Sequence, residues 1–70
     1  MENKVRYLLR YPDKEYTWLY FMYIDNEQRI TSTSAEEKAH IFTTEHELRK
    51  SIIKIDSITG QKNKYDIKKI

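Results

Sequence analysis

The side chains able to bind a metal ion are few, and their spacing matches no common metal site. The two histidines, His40 and His46, are six positions apart, and Glu45 and Glu47 flank the second one. A zinc site takes three or four protein ligands, and the zinc-binding helix motif separates its two histidines by three residues. We therefore expect these histidines on the surface or near a helix start, and we predict no metal site.

Catalytic and nucleotide-binding chemistry is not predicted either. The chain has 11 acidic side chains, no cysteine and one glycine. A catalytic pair of carboxylates needs a pocket that moves the two pKa values apart, which a domain of this size with one helix rarely has. A single glycine cannot form a glycine-rich phosphate loop. The sequence predicts no catalytic residue, no enzyme activity and no cofactor.

Two neighbouring segments have the composition of β-strands. Residues 4–11 alternate between apolar and mostly basic side chains. Tyr16–Ile24 carries no charge and is rich in aromatic and β-branched residues. Pro12–Glu15 lies between them and predicts a four-residue hairpin loop. This loop would place Tyr11 opposite Tyr16.

That register gives the two faces of the hairpin different chemistry. One face is uncharged and is the predicted core: Val5, Tyr7, Leu9, Tyr11, Tyr16, Trp18, Tyr20 and Met22. The second face mixes cations with apolar side chains, because Arg10 lies opposite Thr17, Leu8 opposite Leu19, Arg6 opposite Phe21 and Lys4 opposite Tyr23. With two lysines of the last predicted strand, it forms the candidate interaction face: Lys4, Arg6, Arg10, Leu19, Phe21, Tyr23, Lys64 and Lys68.

The segment after the hairpin predicts short elements. Asp25–Glu27 is a turn, and Arg29–Thr33 is a short third strand. Ser34 followed by Glu37 has the capping-box spacing and predicts a helical turn that ends at Ala39. Ile41 and Phe42 would then anchor this segment in the core.

The second half of the chain predicts a helix and a last strand. Thr44 and Glu47 form a second capping box, and an apolar stripe of Leu48, Ile52 and Ile55 follows at helical spacing. The helix is predicted from Glu45 to Asp56 or Ser57. Gly60, the only glycine, follows it. Residues 64–70 predict a strand in which Tyr65 and Ile67 face the core.

These elements predict one α+β domain that spans residues 1–70: a small, mainly antiparallel sheet of three to four strands, with one amphipathic helix packed on one face. A chain of 70 residues buries a modest core, so packing or oligomerisation must supply its stability in the absence of disulfides. No segment approaches the ~20 apolar residues of a membrane helix. No apolar signal region follows the N-terminus, so a cytoplasmic location is expected.

Three interpretations of the second face are open. The basic side chains could lie over the aromatic rings and shield them from water. The face could instead bind single-stranded nucleic acid by stacking bases and pairing phosphates, although a net charge of +2 is low for such a protein. It could also bury itself against another protein or a second copy, because Tyr, Trp, Phe, Met and Arg are enriched in protein interfaces.

The layout resembles a loose class of very short proteins encoded by phages and mobile elements of AT-rich Gram-positive bacteria. The residues that carry the resemblance are the segments 4–11, Lys38–Thr43 with the following Thr44–Leu48, and Lys64–Ile67. Some such proteins inhibit host defence, including anti-CRISPR proteins. Inhibitors that mimic DNA are usually strongly acidic, and this slightly basic chain departs from that pattern.

The sequence thus predicts non-catalytic binding. The first hypothesis is a protein-interaction module, an inhibitor or accessory protein of a phage or mobile element that binds a host protein, with homodimerisation as one variant. The alternative is a small nucleic-acid-binding protein that uses a basic and aromatic sheet face. No membrane partner is predicted.

Overall fold

The computed structural model describes residues 5–70, in which four antiparallel strands and one α-helix form an α+β fold. The strands are β1 (Tyr7–Asp13), β2 (Thr17–Ile24), β3 (Ile30–Thr33) and β4 (Asp66–Lys69), and the helix is α1 (Glu45–Thr59). The order in the sheet is β3-β2-β1-β4. The predicted fold class is confirmed, including the short third strand.

The hairpin between β1 and β2 has a three-residue loop instead of the predicted four-residue one. The Asp13 carboxylate accepts hydrogen bonds from the backbone N–H groups of Glu15 and Tyr16, both at 3.0 Å. Thr17 then takes a left-handed conformation, with φ at 70°. A left-handed residue after a turn is the usual end of a three-residue hairpin loop.

The shorter loop changes the strand register, and the predicted register is wrong. Tyr11 pairs with Leu19, three positions beyond the predicted Tyr16. Because neighbouring side chains on a strand point to opposite faces, an odd shift exchanges the two faces of β2. Phe21 therefore lies on the helix side, whereas Trp18 and Tyr20 lie on the other side.

Pro12, predicted in the loop, lies inside β1 opposite Trp18. Backbone hydrogen bonds between Arg6 and Ile70 show that the even-numbered residues of β1 direct their N–H and C=O groups toward β4. Since β4 begins at Asp66, opposite Arg10, no β4 residue pairs at the position of Pro12. The missing N–H of proline therefore costs no ladder hydrogen bond.

The main core lies between α1 and the sheet. Its buried residues are Leu9, Phe21, Phe42, Leu48 and Ile55. The rings of Phe21 and Phe42 stack with centroids 5.9 Å apart. The predicted helix stripe is confirmed: Leu48 and Ile55 are buried in this core, and Ile52 packs against it as a half-buried residue. Each fully buried side chain of this type contributes about 1.5–3 kcal/mol to folding.

The ends of α1 follow the capping chemistry of the sequence. Thr44 Oγ1 accepts a hydrogen bond of 3.2 Å from the backbone N–H of Glu47. At the other end, Gly60 adopts φ of 73° and donates its N–H to the Asp56 carbonyl at 2.9 Å. The helix continues to Thr59, beyond the predicted end, because Gly60 is the first position that takes the left-handed conformation that closes it.

The segment that leads into α1 inserts between β1 and β2, where these strands separate. The backbone N–H of His40 donates to the Phe21 carbonyl at 2.9 Å. Tyr7 and Phe42 exchange two backbone hydrogen bonds, each of 2.9 Å. These bonds hold the Phe42 ring in the core, as predicted. Ile41, the other predicted anchor, is instead 44% exposed.

The helical turn before this segment is a 3₁₀ turn at Glu36–Lys38. It begins after Ala35, which has no side-chain cap, so the prediction that Ser34 caps it is wrong. Ala39 follows the turn and is buried on the sheet face opposite α1, against Leu8 and Tyr20. The second face of the sheet is thus partly covered by this segment.

Candidate interaction surface

The sheet face turned away from α1, called the open face below, is the first candidate surface. Residues paired across neighbouring strands share a face, which fixes its membership. A register shift between Phe21 and Tyr23 leaves Met22 without a partner on β3 and brings Tyr23 to this face opposite Thr31. The open face consists of Leu8, Arg10, Trp18, Tyr20, Tyr23, Thr31, Thr33, Asp66 and Lys68.

Arg10 is held between an anion and an aromatic ring. Its Nε donates to Asp66 Oδ2 at 2.6 Å, a charge-assisted hydrogen bond between residues paired on β1 and β4. Its guanidinium carbon lies 4.1 Å from the centroid of the Trp18 ring. A cation over an aromatic face gains about 0.5–2 kcal/mol, depending on desolvation. The Arg10 side chain is 20% exposed, so it is fixed as part of the surface.

Glu36 links the 3₁₀ turn to the sheet. Its Oε1 accepts hydrogen bonds from Lys68 Nζ and from the Tyr20 hydroxyl, the latter at 3.1 Å. The hydrogen bond from Lys68 lowers the pKa of Glu36, and that from Tyr20 lowers it further. Glu36 therefore remains ionised and holds the turn across one end of the open face.

These contacts neutralise two of the five cations of the predicted interaction face. Arg10 is paired with Asp66, and Lys68 is paired with Glu36. Binding to nucleic acid gains most of its affinity when cations replace the counterions of phosphates. A cation that already has a carboxylate partner must lose it first. The open face therefore presents aromatic and hydroxyl groups with two internal ion pairs.

The structure separates the residues of the predicted interaction face. Lys4 lies outside the described residues. Arg10, Tyr23 and Lys68 lie together on the open face, and Arg6 is exposed just before β1. Phe21 is 5% exposed in the core. Leu19 pairs with Tyr11 on the helix side, and Lys64 lines a groove on that side.

Sequence reasoning does not place Trp18, Tyr20 and Asp66 on the predicted interaction face, nor does it find Glu36, which reaches the open face from the 3₁₀ turn. It assigns Trp18 and Tyr20 to the core because it predicts a four-residue loop. The signal that could have found them is Asp13, since an Asp before a turn often bonds the backbone two residues on and starts the loop there. Asp66 and Glu36 meet this face through contacts across β4 and the 3₁₀ turn, which no local pattern specifies.

A groove of about 430 Å³ lies on the helix side of the sheet. Ile30 and Ser32 of β3 line it, together with Tyr11, Pro12, Ile55, Thr59, Asn63, Lys64 and Tyr65. Its lining is mostly apolar and aromatic. Burial raises the pKa of Tyr11.

One end of the groove is fixed by a hydrogen-bond cluster around Asp56. Asp56 Oδ1 accepts from the Tyr65 hydroxyl at 2.7 Å and from the Asn63 side-chain amide at 3.1 Å. Asn63 also donates to Thr59 Oγ1 at 2.9 Å. Burial, and then the hydrogen bond to Asp56, raises the pKa of Tyr65 to about 12. The cluster ties the loop after α1 to the helix.

Within residues 5–70, no three side chains of His, Cys, Asp or Glu lie close enough to hold a metal ion. No helix in that part of the chain is long and apolar enough to cross a membrane. The chain matches no family model, no curated protein and no solved structure in the three comparisons made.

Proposed function

We propose that this chain is a non-catalytic protein-interaction module that binds a protein partner with the open face of its sheet. The observation that carries the proposal is the internal pairing of the two cations that strands β1 and β4 place on the open face, Arg10 with Asp66 and Lys68 with Glu36. This leaves a surface on which Trp18, Tyr23 and Arg10 are of the residue types enriched in protein interfaces. Tyr23, 53% exposed, is its most accessible large side chain.

The pKa shifts of three groups beside the open face and the groove do not point to acid–base catalysis. A general acid or base works best with a pKa near the operating pH. The pKa values of Glu36 and Asp56 are lowered by their hydrogen bonds, and that of Tyr65 is raised. All three shifts move the groups away from neutral pH.

The proposed partner class follows from the resemblance to short proteins of phages and mobile elements. On that basis the chain acts as an inhibitor or accessory protein that occupies a surface of a host protein. The exposed Tyr23 and the half-buried Trp18 supply aromatic contact area to the partner. Arg10 and Asp66 offer the hydrogen-bonding groups that their own pair does not use.

The alternative, nucleic-acid binding, is tested by fluorescence titration of labelled single-stranded DNA and RNA at low and high salt. We expect no binding by the unmodified chain at low salt. The isosteric double variant Asp66→Asn with Glu36→Gln frees both cations and should gain weak, salt-sensitive binding. Low-micromolar, salt-sensitive binding by the unmodified chain would contradict the proposal.

The protein partner is tested by affinity capture from host extract, followed by a titration with the purified candidate. Tyr23→Ser should weaken binding at least tenfold if Tyr23 is an anchoring aromatic residue. Ile53→Ser is the matched control, because Ile53 is 69% exposed on α1. Equal binding by the two variants would show that the open face is not the binding surface.

A further inference from the structure

The two edges of the sheet differ in how they are protected. β4, with the sequence Asp-Ile-Lys-Lys, carries three charged residues. Lysines on an edge strand prevent pairing with another strand, because an added chain would bury their charge. β3, with the sequence Ile-Thr-Ser-Thr, carries no charge and is rich in β-branched residues. The β3 edge therefore lacks the usual protection.

The outward hydrogen-bonding groups of β3 belong to Ile30 and Ser32. Asp25 N–H donates to the Arg29 carbonyl at 3.0 Å, so Arg29 faces β2. Backbone groups of successive strand residues point to opposite sides, so Thr31 and Thr33 also face β2 and the two residues between point outward. Among residues 5–70, no backbone group beyond the β2–β3 ladder pairs with Ile30 or Ser32.

The same two residues border the groove on the helix side. Ser32 has a small side chain, so it takes up little space on the β3 side of the groove. A strand added along β3 would place every second side chain on this side. The side chain of the added strand opposite Ser32 would then extend over Ser32 toward Tyr11 and Tyr65 in the groove.

We propose that the β3 edge pairs with the β3 edge of a second copy of this chain, antiparallel and centred on Thr31. In that alignment Ile30 lies opposite Ser32 of the partner subunit. The two-fold axis makes a second, equivalent pair between Ser32 and the partner's Ile30. The outward N–H and C=O groups of both residues are then satisfied on both copies. Each Ile30 side chain extends over the small Ser32 toward the groove of the other copy.

The residues beyond the paired segment are compatible with this alignment. Arg29 falls opposite Thr33 of the partner subunit, so no like charges meet at the ends of the strand. Arg29 is already paired with Asp25 and Glu27 within its own turn. The two copies are related by a two-fold axis, the commonest symmetry of homo-oligomers.

This inference goes beyond the proposed function because it uses the sheet edge and leaves the open face available to a partner. Tyr23 variants should leave self-association unchanged, and Ser32 variants should leave partner binding by the open face unchanged. The two proposals can therefore fail separately.

The first test is analytical ultracentrifugation from about 1 µM to about 1 mM, the affinity range of small interfaces. We expect a concentration-dependent dimer. Ser32→Pro removes an outward N–H and leaves the bonds to β2, so it should shift the dissociation constant at least tenfold. Ser32→Ala and Lys69→Pro, on the other edge, are the controls. A monomer throughout, or a dimer unchanged by Ser32→Pro, would overturn the proposal.

A second test does not depend on how well the proline variant folds. The chain has no cysteine, so Thr31→Cys introduces a single thiol at the symmetry axis. Non-hydrogen-bonded antiparallel pairs have Cα atoms ~4.5 Å apart, within the range of a disulfide. Under mild oxidation this variant should form a disulfide dimer several-fold faster than Thr33→Cys. Equal rates for the two variants would overturn the alignment.

Discussion

The face exchange in β2 gives a sharp test of the fold, because it moves Phe21 from the surface to the core. Phe21 is 5% exposed and stacks on Phe42 at 5.9 Å. Phe→Ala substitutions in cores cost about 3–5 kcal/mol through lost burial and a residual cavity. A domain of 70 residues has roughly 3.5–10 kcal/mol of total stability at about 0.05–0.15 kcal/mol per residue. Phe21→Ala should therefore remove a large part of the free energy of unfolding.

The assay is urea denaturation followed by circular dichroism, with Tyr23→Ala as the matched control on the same strand. Tyr23 is 53% exposed, so its truncation should cost no more than about 1 kcal/mol. The predicted difference between the two variants is then at least about 2 kcal/mol. Equal midpoints with equal slopes would refute the register and restore the arrangement with Phe21 on the open face.

Three further predictions concern local structure. Thr17→Gly should raise the free energy of unfolding by about 0.5–1 kcal/mol, because Thr17 holds φ at 70°; a loss of stability in urea denaturation would contradict the loop conformation. Gly60→Ala should cost about 1 kcal/mol by the same assay, because the strain comes from φ of 73° and no atom lies within 4 Å of the added Cβ. The pKa of Tyr65 is raised from 10.0 to about 12, which adds stability that is full below about pH 10 and is lost as the pH rises toward 12. Tyrosinate absorbance during an alkaline titration should show the ionisation of Tyr65 near pH 12. Tyr65→Phe should lack that ionisation.

Local sequence signals predicted the elements of this fold well. The cap at Thr44, the stripe that contains Leu48 and Ile55, and the stop at Gly60 all act within one or two turns of a helix, so a single segment carries enough information. The alternation of β1 likewise assigned Leu9 to the core correctly. These features depend on side chains that are close in sequence.

The strand register, and with it the set of residues on the open face, depends on one side chain in the hairpin loop. One carboxylate, that of Asp13, moves the loop by forming two backbone hydrogen bonds, and the resulting odd shift exchanges every side chain of β2 between faces. A second irregularity, at Met22, returns Tyr23 to the open face. The alternation of apolar and polar residues does not reveal these two events. Each of them changes which side chains of β2 point to a given face of the sheet.

The sequence pattern also did not indicate which anions pair with Arg10 and Lys68. Asp66 is 56 positions from Arg10, and Lys68 is 32 positions from Glu36. Composition suggested a basic face because it counted cations along two strands. The structure pairs two of these cations with anions from other elements. We therefore keep a protein partner as the proposal and nucleic acid as its alternative.

Site-specific photo-cross-linking in the host cell tests the central claim most directly. A photoreactive phenylalanine analogue replaces Tyr23 on the open face in one variant and Ile53 on the exposed side of α1 in another. We expect a discrete cross-linked protein adduct from position 23 and none of comparable yield from position 53. Equal adducts from both positions, or adducts to nucleic acid from position 23, would contradict it.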